Sequence, residues 1–398
     1  MGEGRLESGA HGCLTYTYEY GRSLLPPLPP GDAEAGMWRY QKLLPRPDVP
    51  TDYPLPVGGT PLREAPELRH RLGLPGLWLK DETSGPSASN KDRATALVID
   101  RGLRTGIRVI STASTGNAAV STAIGGAAAG LSVVIFVPAD CAPSKVDQMV
   151  ARGAYVFRVA EGYRAAFDLS RSAAATFAWL DRNTGVSPLT IEAKKTASFE
   201  VWEQLDGNAP DVAVLPVGDG ATLIGAAKGF RELVACGALA QVPRIVAVQA
   251  QGCAPLAAQW HSTPPPHRWP GTVADGIEVP EPVVGPWALA ELRHATGDFV
   301  TVSDTEILAA ADLLADAAHL KAEPAGAAAL AGLRRAADTG LVRPDETIVA
   351  WVTGADLPAV PAASATSAPG HRGGAVFTIS ADLDAVAAAL ADTPVPVS

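Results

Sequence analysis

A lysine that directly follows a loop of small residues is the first feature of this sequence that could do chemistry. It lies in the segment Pro86-Ser-Ala-Ser-Asn-Lys91-Asp-Arg93, after an apolar run at residues 76–82 and before apolar residues at helical spacing. The pattern predicts a strand, a loop and a helix, with Lys91 at the first turn of the helix. Because such junctions often hold ligands, Lys91 is a candidate cofactor anchor. The alternative is an ordinary helix start with Lys91 in water.

A glycine-rich turn is the second candidate. The apolar run at residues 211–217 leads into Gly218-Asp219-Gly220-Ala221-Thr222 and then into an apolar helical pattern. Such a strand, turn and helix direct backbone amides at an anion, and a phosphate would fit. The dinucleotide pattern Gly-x-Gly-x-x-Gly fails because Leu223 holds its third glycine position. A plain tight turn is the alternative, and Asp219 would have to point away from a bound phosphate.

Two further candidates also follow predicted strands. The amides of Ser114-Thr115-Gly116-Asn117 could hold a carboxylate, and the Asn117 side chain suits a phenolic oxygen, although Asn117 could instead cap a helix. The strand at residues 347–352 ends at Thr353, whose hydroxyl could serve the site or belong to a simple turn. All four candidates lie at carboxyl ends of strands, where open α/β sheets hold ligands. Together they suit pyridoxal 5'-phosphate.

The elements that must position these residues alternate between strands and helices. Alternation of this kind is typical of parallel sheets with helices on both faces, so the predicted class is α/β with two open twisted-sheet domains. We expect the cofactor in the cleft between the domains. We expect an N-terminal extension at residues 1–35 and a large domain at residues 36–91 plus 201–360. A small domain is expected at residues 92–200, followed later by a C-terminal linker with a short strand and helix at residues 361–398. Proline-rich residues 24–32 and residues 358–374 are predicted to be tail or linker.

The composition limits the classes of function. The chain has 398 residues, 47% of them apolar, and its net charge of -10 leaves no basic surface for nucleic acid. Its four cysteines and seven histidines lack metal-ligand spacing, so no metal is expected. The uncharged residues 109–139 contain too many polar and glycine positions for a membrane span, and the first residues lack the apolar core of a secretion signal. The sequence therefore predicts a cytoplasmic protein.

The order of the motifs resembles the fold type II pyridoxal-phosphate enzymes, which are similar in fold to the tryptophan synthase β subunit, and most closely the threonine synthases. The resemblance covers about residues 36–358. The motifs that carry it are Met37-Trp-Arg-Tyr40, Gly58-Gly-Thr-Pro61, Leu79-Lys-Asp-Glu82, Ser89-Asn-Lys-Asp-Arg93, Ala113-Ser-Thr-Gly-Asn117, Lys195-Thr196, Gly218-Asp-Gly220, Val302-Ser-Asp304, Glu323-Pro-Ala325 and Thr353-Gly354.

This resemblance implies a role for each candidate. Lys91 would carry the Schiff base with pyridoxal phosphate and move protons at the α and β carbons of an amino-acid substrate. The loop at residues 218–222 would hold the cofactor phosphate, Asn117 the ring hydroxyl and Thr353 the ring nitrogen. The turn at residues 114–117 would hold the substrate carboxylate.

The implied reaction is the conversion of O-phosphohomoserine and water into threonine and inorganic phosphate. Lys195 is assigned to the substrate, and Lys194 and Arg93 are further basic candidates for its phosphate. The resemblance also suggests a homodimer.

Two departures from the family pattern keep other substrates open. Asn90 stands where the family commonly has phenylalanine, and Glu278 stands where threonine synthases often have arginine. They favour, as an alternative, a serine or threonine dehydratase or a synthase that replaces the β substituent of another amino acid. A non-catalytic amino-acid sensor is less favoured because Lys91 is intact. A nicotinamide-dependent dehydrogenase is disfavoured by the failed glycine pattern.

Overall fold

The structure is a computed structural model that describes residues 4–9, 12–28, 33–357 and 374–396. Part of the predicted proline-rich tail and nearly all of the predicted linker at residues 358–374 lie outside these ranges. The chain divides into two compact units. The first comprises Met1–Asp48, Val57–Asn90 and Ile191–Asp356, and the second comprises Val49–Pro56, Lys91–Thr190 and Leu357–Ser398.

The strands and helices of the described residues alternate along most of the chain. The strands are β1 Arg5–Ser8, β2 Leu14–Thr17, β3 Leu62–Glu64, β4 Leu77–Asp81, β5 Val109–Ala113, β6 Ser132–Pro138, β7 Tyr155–Val159, β8 Leu180–Asp181, β9 Val212–Pro216, β10 Arg244–Ala250, β11 Asp298–Val302, β12 Ile348–Val352 and β13 Val376–Ile379. The helices are α1 Pro66–Leu72, α2 Lys91–Thr105, α3 Asn117–Ala128, α4 Pro143–Val150, α5 Tyr163–Thr176, α6 Leu189–Lys194, α7 Thr196–Gln204, α8 Ala221–Ala235, α9 Pro255–Trp260, α10 Gly285–His294, α11 Asp304–Ala318, α12 Pro324–Asp338 and α13 Leu383–Leu390. Short 3₁₀ segments occupy Arg22–Leu24, Ala33–Leu43, Glu82–Ser84 and Asp275–Ile277.

The first unit is built on a six-stranded sheet in the order β11-β10-β9-β12-β4-β3. Neighbouring strands are parallel, except that β3 pairs antiparallel with β4 at one edge. Strands β1 and β2 form a separate antiparallel pair. Because β9 and β12 are parallel neighbours, the residues that follow them meet at one edge of the sheet.

Both faces of this sheet are covered, which explains the uninterrupted apolar runs of its strands. In β9, Ala213 and Leu215 join a core with residues of α7, α8 and α10, whereas Val212 and Val214 join a second core with residues of α11 and α12. Successive side chains of a strand point to opposite faces, so one apolar strand supplies two cores.

The second unit contains a five-stranded sheet in the order β13-β7-β6-β5-β8, and all of its neighbouring strands are parallel. Its core holds the rings of Phe136, Phe157 and Phe377, whose centroids lie 5.2 Å apart for the first pair and 5.1 Å apart for the second. The strand and helix predicted after residue 374 are present as β13 and α13. The indole of Trp179 donates a hydrogen bond to the Pro396 carbonyl at 2.9 Å, which fixes the residues after α13 to this unit.

Candidate active site

The glycine-rich turn of the first unit connects β9 to α8. Gly218 lies so close to the backbone of Ile277 that a Cβ atom there would be 2.9 Å from its Cα. Gly220 has a φ of 97° and forms the N-cap of α8, a conformation that favours glycine. The Ile224 amide donates to the Gly220 carbonyl at 2.9 Å. The helix therefore begins at the turn, and the amides of its first residues point towards the loop.

Asp219 forms a hydrogen bond within the turn. Its carboxylate accepts from the Ala221 amide at 2.9 Å. The carboxylate therefore uses one donor of the helix start and brings a negative charge to the loop. An anion bound at this loop would need a positive charge near it to offset Asp219.

Thr353 follows β12 at the same edge of the sheet. Its carbonyl accepts from the Asn90 amide at 2.9 Å, and Ser89 forms an antiparallel bridge with Gly354. The Asn90 side chain donates to the Thr222 hydroxyl at 3.2 Å. Asn90, the residue directly before Lys91, thus joins two predicted site elements, the loop at residues 218–222 and Thr353.

Two adjacent lysines have different environments in this unit. The Lys194 ammonium lies 3.3 Å from the Thr222 hydroxyl, and only 4% of the residue is exposed. The Lys195 ammonium instead lies 2.6 Å from the carboxylate of Glu192 and 2.8 Å from that of Glu232. The predicted contact of Lys195 with substrate does not fit this placement, because its charge is already paired in the protein interior. Lys194 is the lysine at the loop.

Lys195 belongs to a buried cluster of four charges, Glu192, Lys195, Lys228 and Glu232, which we call the charge cluster. Lys228 contacts both carboxylates, and the Tyr18 hydroxyl donates to Glu192 at 2.7 Å. Burial opposes ionisation, but the ammonium groups of Lys195 and Lys228 outweigh it and lower the pKa of Glu192. Burial raises the pKa of Glu232. The sequence did not reveal this cluster, whose members come from two helices and the residue between α6 and α7.

Lys91 is the first residue of α2 in the second unit and is partly exposed. The Arg182 guanidinium, which is fully buried, donates to the Lys91 carbonyl at 3.3 Å and to the Thr95 hydroxyl at 3.0 Å. The Ser121 hydroxyl donates to the Asp92 carboxylate at 2.7 Å. These bonds hold the first turn of α2, and with it the backbone of Lys91.

The turn at residues 114–117 follows β5 in the same unit. The Gly116 amide donates to the Ser114 hydroxyl at 3.2 Å, and the turn is partly exposed. Gly116 is the N-cap of α3, and Asn117 is the first residue of the helix. The alternative interpretation of Asn117 as a helix cap is therefore wrong. The amides of Asn117 and Ala118 are those that a helix start leaves without an intrahelical acceptor.

These residues fit a phosphorylated pyridine cofactor. The turn of the first unit offers backbone amides at the start of a helix. The Lys194 ammonium group and the Asn90 side-chain amide both contact the Thr222 hydroxyl of this turn. The loop can therefore supply several donors to one anion. In the part of the chain that the structure describes, no cluster of three His, Cys, Asp or Glu side chains could hold a metal ion. Among the same residues, no helix is both long and apolar enough to cross a membrane.

Comparisons with known proteins define the class. Residues 53–354 match the family model described as pyridoxal-phosphate dependent enzyme. The chain belongs to this family, and pyridoxal 5'-phosphate is its cofactor. The predicted family resemblance and α/β fold are both confirmed.

Particular relatives carry the name threonine synthase. The protein of that name from Methanosarcina acetivorans is 36% identical over 80% of this chain and 79% of its own length. Those from Methanocaldococcus jannaschii, at 32% identity, and Mycobacterium leprae, at 36%, cover 81% and 80% of this chain and 81% and 87% of their own lengths.

Solved structures support the fold. Threonine deaminase isoform 2 from Solanum lycopersicum aligns with a TM-score of 0.63 at 24% identity, covering 75% of this chain and 80% of its own. Serine racemase from maize aligns with a TM-score of 0.63 at 21% identity, covering 75% of this chain and 88% of its own. At these identities the likeness shows the fold alone.

Proposed function

We propose that this chain is a threonine synthase, a lyase that converts O-phospho-L-homoserine and water into L-threonine and inorganic phosphate. The observation that carries the proposal is the 32–36% identity to threonine synthases over about 80% of the chain. The reaction breaks the bond between the γ carbon and the phosphate oxygen. Water then supplies a hydroxyl group to the β carbon, and a proton is added at the γ carbon.

Four groups of residues would hold the cofactor. In the first unit, the loop at residues 218–222 supports this role through its amides, and Thr353 would hold the ring nitrogen. In the second unit, Lys91 would bond covalently to the cofactor and Asn117 would contact the ring hydroxyl. When bound, pyridoxal phosphate withdraws electrons from the carbons next to the substrate amino group.

The protein's own groups would bind the substrate and move its protons. The turn at residues 114–117 would hold the carboxylate through amides at the start of α3. Lys91, held through its carbonyl by Arg182, would take the proton from the α carbon and return protons to the carbon chain. This step needs a neutral amine. Lys195 has no part in this proposal because it belongs to the charge cluster.

A second candidate function rests on Asn90 and Glu278. A polar side chain precedes Lys91, and Glu278 stands where threonine synthases often have arginine. The exposed Glu278 carboxylate accepts from the Thr272 amide at 3.2 Å, so it closes its own loop and supplies no positive charge for a second phosphate. A serine or threonine dehydratase, or a β-replacement synthase, would need no such charge.

Release of phosphate and formation of threonine from O-phospho-L-homoserine test the proposal. We expect the purified protein loaded with cofactor to form both products in equal amounts. L-serine, L-threonine and O-acetyl-L-serine are assayed beside it for keto acids and replacement products. Keto acid from serine or threonine, with no phosphate released from O-phospho-L-homoserine, would assign the dehydratase function instead.

The role of Lys91 has its own test. We expect Lys91→Ala to abolish product formation, because the variant lacks the amine that bonds to the cofactor and moves protons. Borohydride reduction of the wild-type holoenzyme, followed by peptide mass spectrometry, should place the cofactor mass on Lys91. A label on another lysine would show that the anchor is misassigned.

The proposal also includes a homodimer and a cytoplasmic location. It further includes a large domain at residues 36–91 plus 201–360 and a small domain at residues 92–200. The family resemblance supports the dimer, and light scattering of the holoenzyme during gel filtration would measure its mass. A monomer mass at micromolar concentration would contradict it. Limited proteolysis would test the domain limits, because cleavage concentrates at exposed loops between compact parts.

A further inference from the structure

We infer that Lys194 binds the phosphate of pyridoxal phosphate and offsets the negative charge that Asp219 brings to the same loop. The inference rests on the cofactor and is independent of the substrate proposed above. From the sequence alone, Lys194 is a candidate only for contact with the phosphate of the substrate.

Close packing of α6 against α8 brings Lys194 to the loop. Gly225 and Gly229 lie one helical turn apart on α8. A Cβ atom at Gly225 would be 2.6 Å from the Lys194 Cβ, and one at Gly229 would be 2.5 Å from the Lys195 carbonyl oxygen. The absence of side chains at these two positions lets the end of α6 approach α8 closely. Lys194 therefore lies beside the first turns of α8.

The ammonium group of Lys194 lies at the start of α8. Lys194 is 4% exposed, and its Nζ atom lies 3.3 Å from the Thr222 hydroxyl, at the second residue of α8. The amides of a helix start carry a partial positive charge. A buried ammonium group beside them increases the preference of this loop for an anion of high charge, such as a phosphate monoester.

The loop itself carries an acidic side chain. The loop has the sequence Gly218-Asp219-Gly220-Ala221-Thr222. The Asp219 carboxylate takes the Ala221 amide and adds a negative charge. A phosphate bound there would be repelled by Asp219, and Lys194, at the end of α6 beside the loop, supplies the opposite charge. Asn90, which donates to Thr222, adds a neutral donor.

The test compares two aldehydes that differ only in the phosphate group. The full-length protein, freed of cofactor, is titrated with pyridoxal phosphate and with pyridoxal, and the ratio of the two dissociation constants isolates the contribution of the phosphate. We expect Lys194→Gln to reduce the preference for pyridoxal phosphate about tenfold to a hundredfold, the usual range for loss of a charged hydrogen bond. Lys194→Arg should retain most of the preference. Lys42→Gln, which changes an exposed lysine of the same unit, should not alter it.

Asp219→Asn provides a second, opposite readout. Removing this negative charge should strengthen the binding of pyridoxal phosphate severalfold and leave the binding of pyridoxal unchanged. This variant keeps the amide-accepting oxygen, so it tests the charge argument even where Lys194→Gln folds poorly. An unchanged ratio for Asp219→Asn would contradict the charge balance.

Two results with Lys194→Gln would overturn the inference. Equal losses in affinity for both aldehydes would mean that Lys194 only supports the fold. An unchanged ratio, together with a lost preference for O-phospho-L-homoserine over L-homoserine in binding, would assign Lys194 to the substrate phosphate. The cofactor titrations use no substrate, so failure of the threonine synthase proposal leaves their outcome unaffected.

Discussion

At the scale of single residues, adjacent lysines differ in role because they point to different neighbours. Lys194 is the last residue of α6, whereas Lys195 lies between α6 and α7 as the N-cap of α7, so their side chains have different surroundings. Lys194 reaches Thr222 at the start of α8, while Lys195 reaches Glu192 and Glu232 in the interior. The motif Lys-Thr in the sequence identified the segment but not the residue that serves the site.

The charge cluster predicts that one substitution within it, Glu192→Gln, strongly lowers the stability of the protein. Glu192→Gln keeps the shape of the side chain but leaves Lys195 and Lys228 with less opposite charge in the interior. We expect it to lower the free energy of unfolding by about 3–5 kcal/mol, the usual cost of breaking a buried ion pair. Urea denaturation of the purified variant measures this.

The matched control is Asp168→Asn, which removes the partner of Arg164. The side chains of Arg164 and Asp168 are 75% and 53% exposed, so the change should cost little stability, as is usual for a surface pair. Equal effects of the two substitutions would show that the charge cluster contributes no more than a surface pair.

At the scale of elements, the packing of α8 against α6 and α7 depends on glycine. In an open helix, alanine is more favourable than glycine by about 1 kcal/mol. At Gly229, however, a Cβ atom would lie 2.5 Å from the Lys195 carbonyl and 2.8 Å from the Ser198 Cβ. We expect Gly229→Ala to destabilise the protein by about 1–3 kcal/mol, the usual cost of overpacking.

Thermal unfolding of Gly229→Ala checks the sign of this effect. Gly21→Ala serves as its control, because a Cβ atom there meets no atom within 4 Å. A higher midpoint for Gly229→Ala than for the wild type would show that α8 has room to move away from α7.

The start of α11 predicts a dependence of stability on pH. Burial raises the pKa of Glu306, but hydrogen bonds from the Ser303 amide and hydroxyl and the ion pair with Arg335 outweigh it and lower the pKa from 4.5 to about 2. Because the folded pKa lies below the unfolded one, this stabilisation is present above about pH 4.5 and is lost as the pH falls towards 2. The free energy of unfolding should therefore fall less between about pH 6 and about pH 3 in Glu306→Gln than in the wild type.

Denaturation of the wild type and Glu306→Gln at these two pH values measures the difference. The variant should be less stable than the wild type at the higher pH and closer to it at the lower one. Parallel losses of stability in both proteins on acidification would place the acid sensitivity at other carboxylates.

At the scale of the whole molecule, the alternation of apolar strands and helices was enough to predict the α/β class. Strand β4, residue Lys91 at the start of α2 and the turn before α8 all stand where the sequence placed them. These features depend on neighbouring residues, which a local pattern records. In the charge cluster, Lys195 connects Glu192 to Glu232. At the glycine-rich turn, the Asn90 side chain contacts Thr222. Such contacts link distant parts of the chain, so no local spacing could predict them.

The last described strand predicts how the second unit responds to truncation. In the full chain, β13 pairs with β7, Phe377 stacks on Phe157, and Val386 and Leu390 of α13 are buried. A protein that ends at residue 357 would expose the edge of β7 and the apolar surface under α13. We expect it to unfold at lower temperature and to aggregate, because an unpaired strand edge binds other chains.

Calorimetry and light scattering of the truncated and full-length proteins test this expectation. Phe377→Ala should produce a smaller shift in the same direction, because it removes the ring and keeps the strand. Identical unfolding of the truncated and full-length proteins would show that residues 374–396 contribute nothing to the second unit.

The pairing of β13 with β7 also has a consequence for synthesis in the cell. The ribosome makes β7 about 220 residues before β13, and at typical elongation rates this interval lasts about 10–40 s. During that time the edge of β7 has no partner from its own chain, while other nascent chains on the same messenger RNA expose the same edge. Chaperone binding to ribosome-bound chains should therefore peak after β7 emerges and fall once β13 has left the exit tunnel.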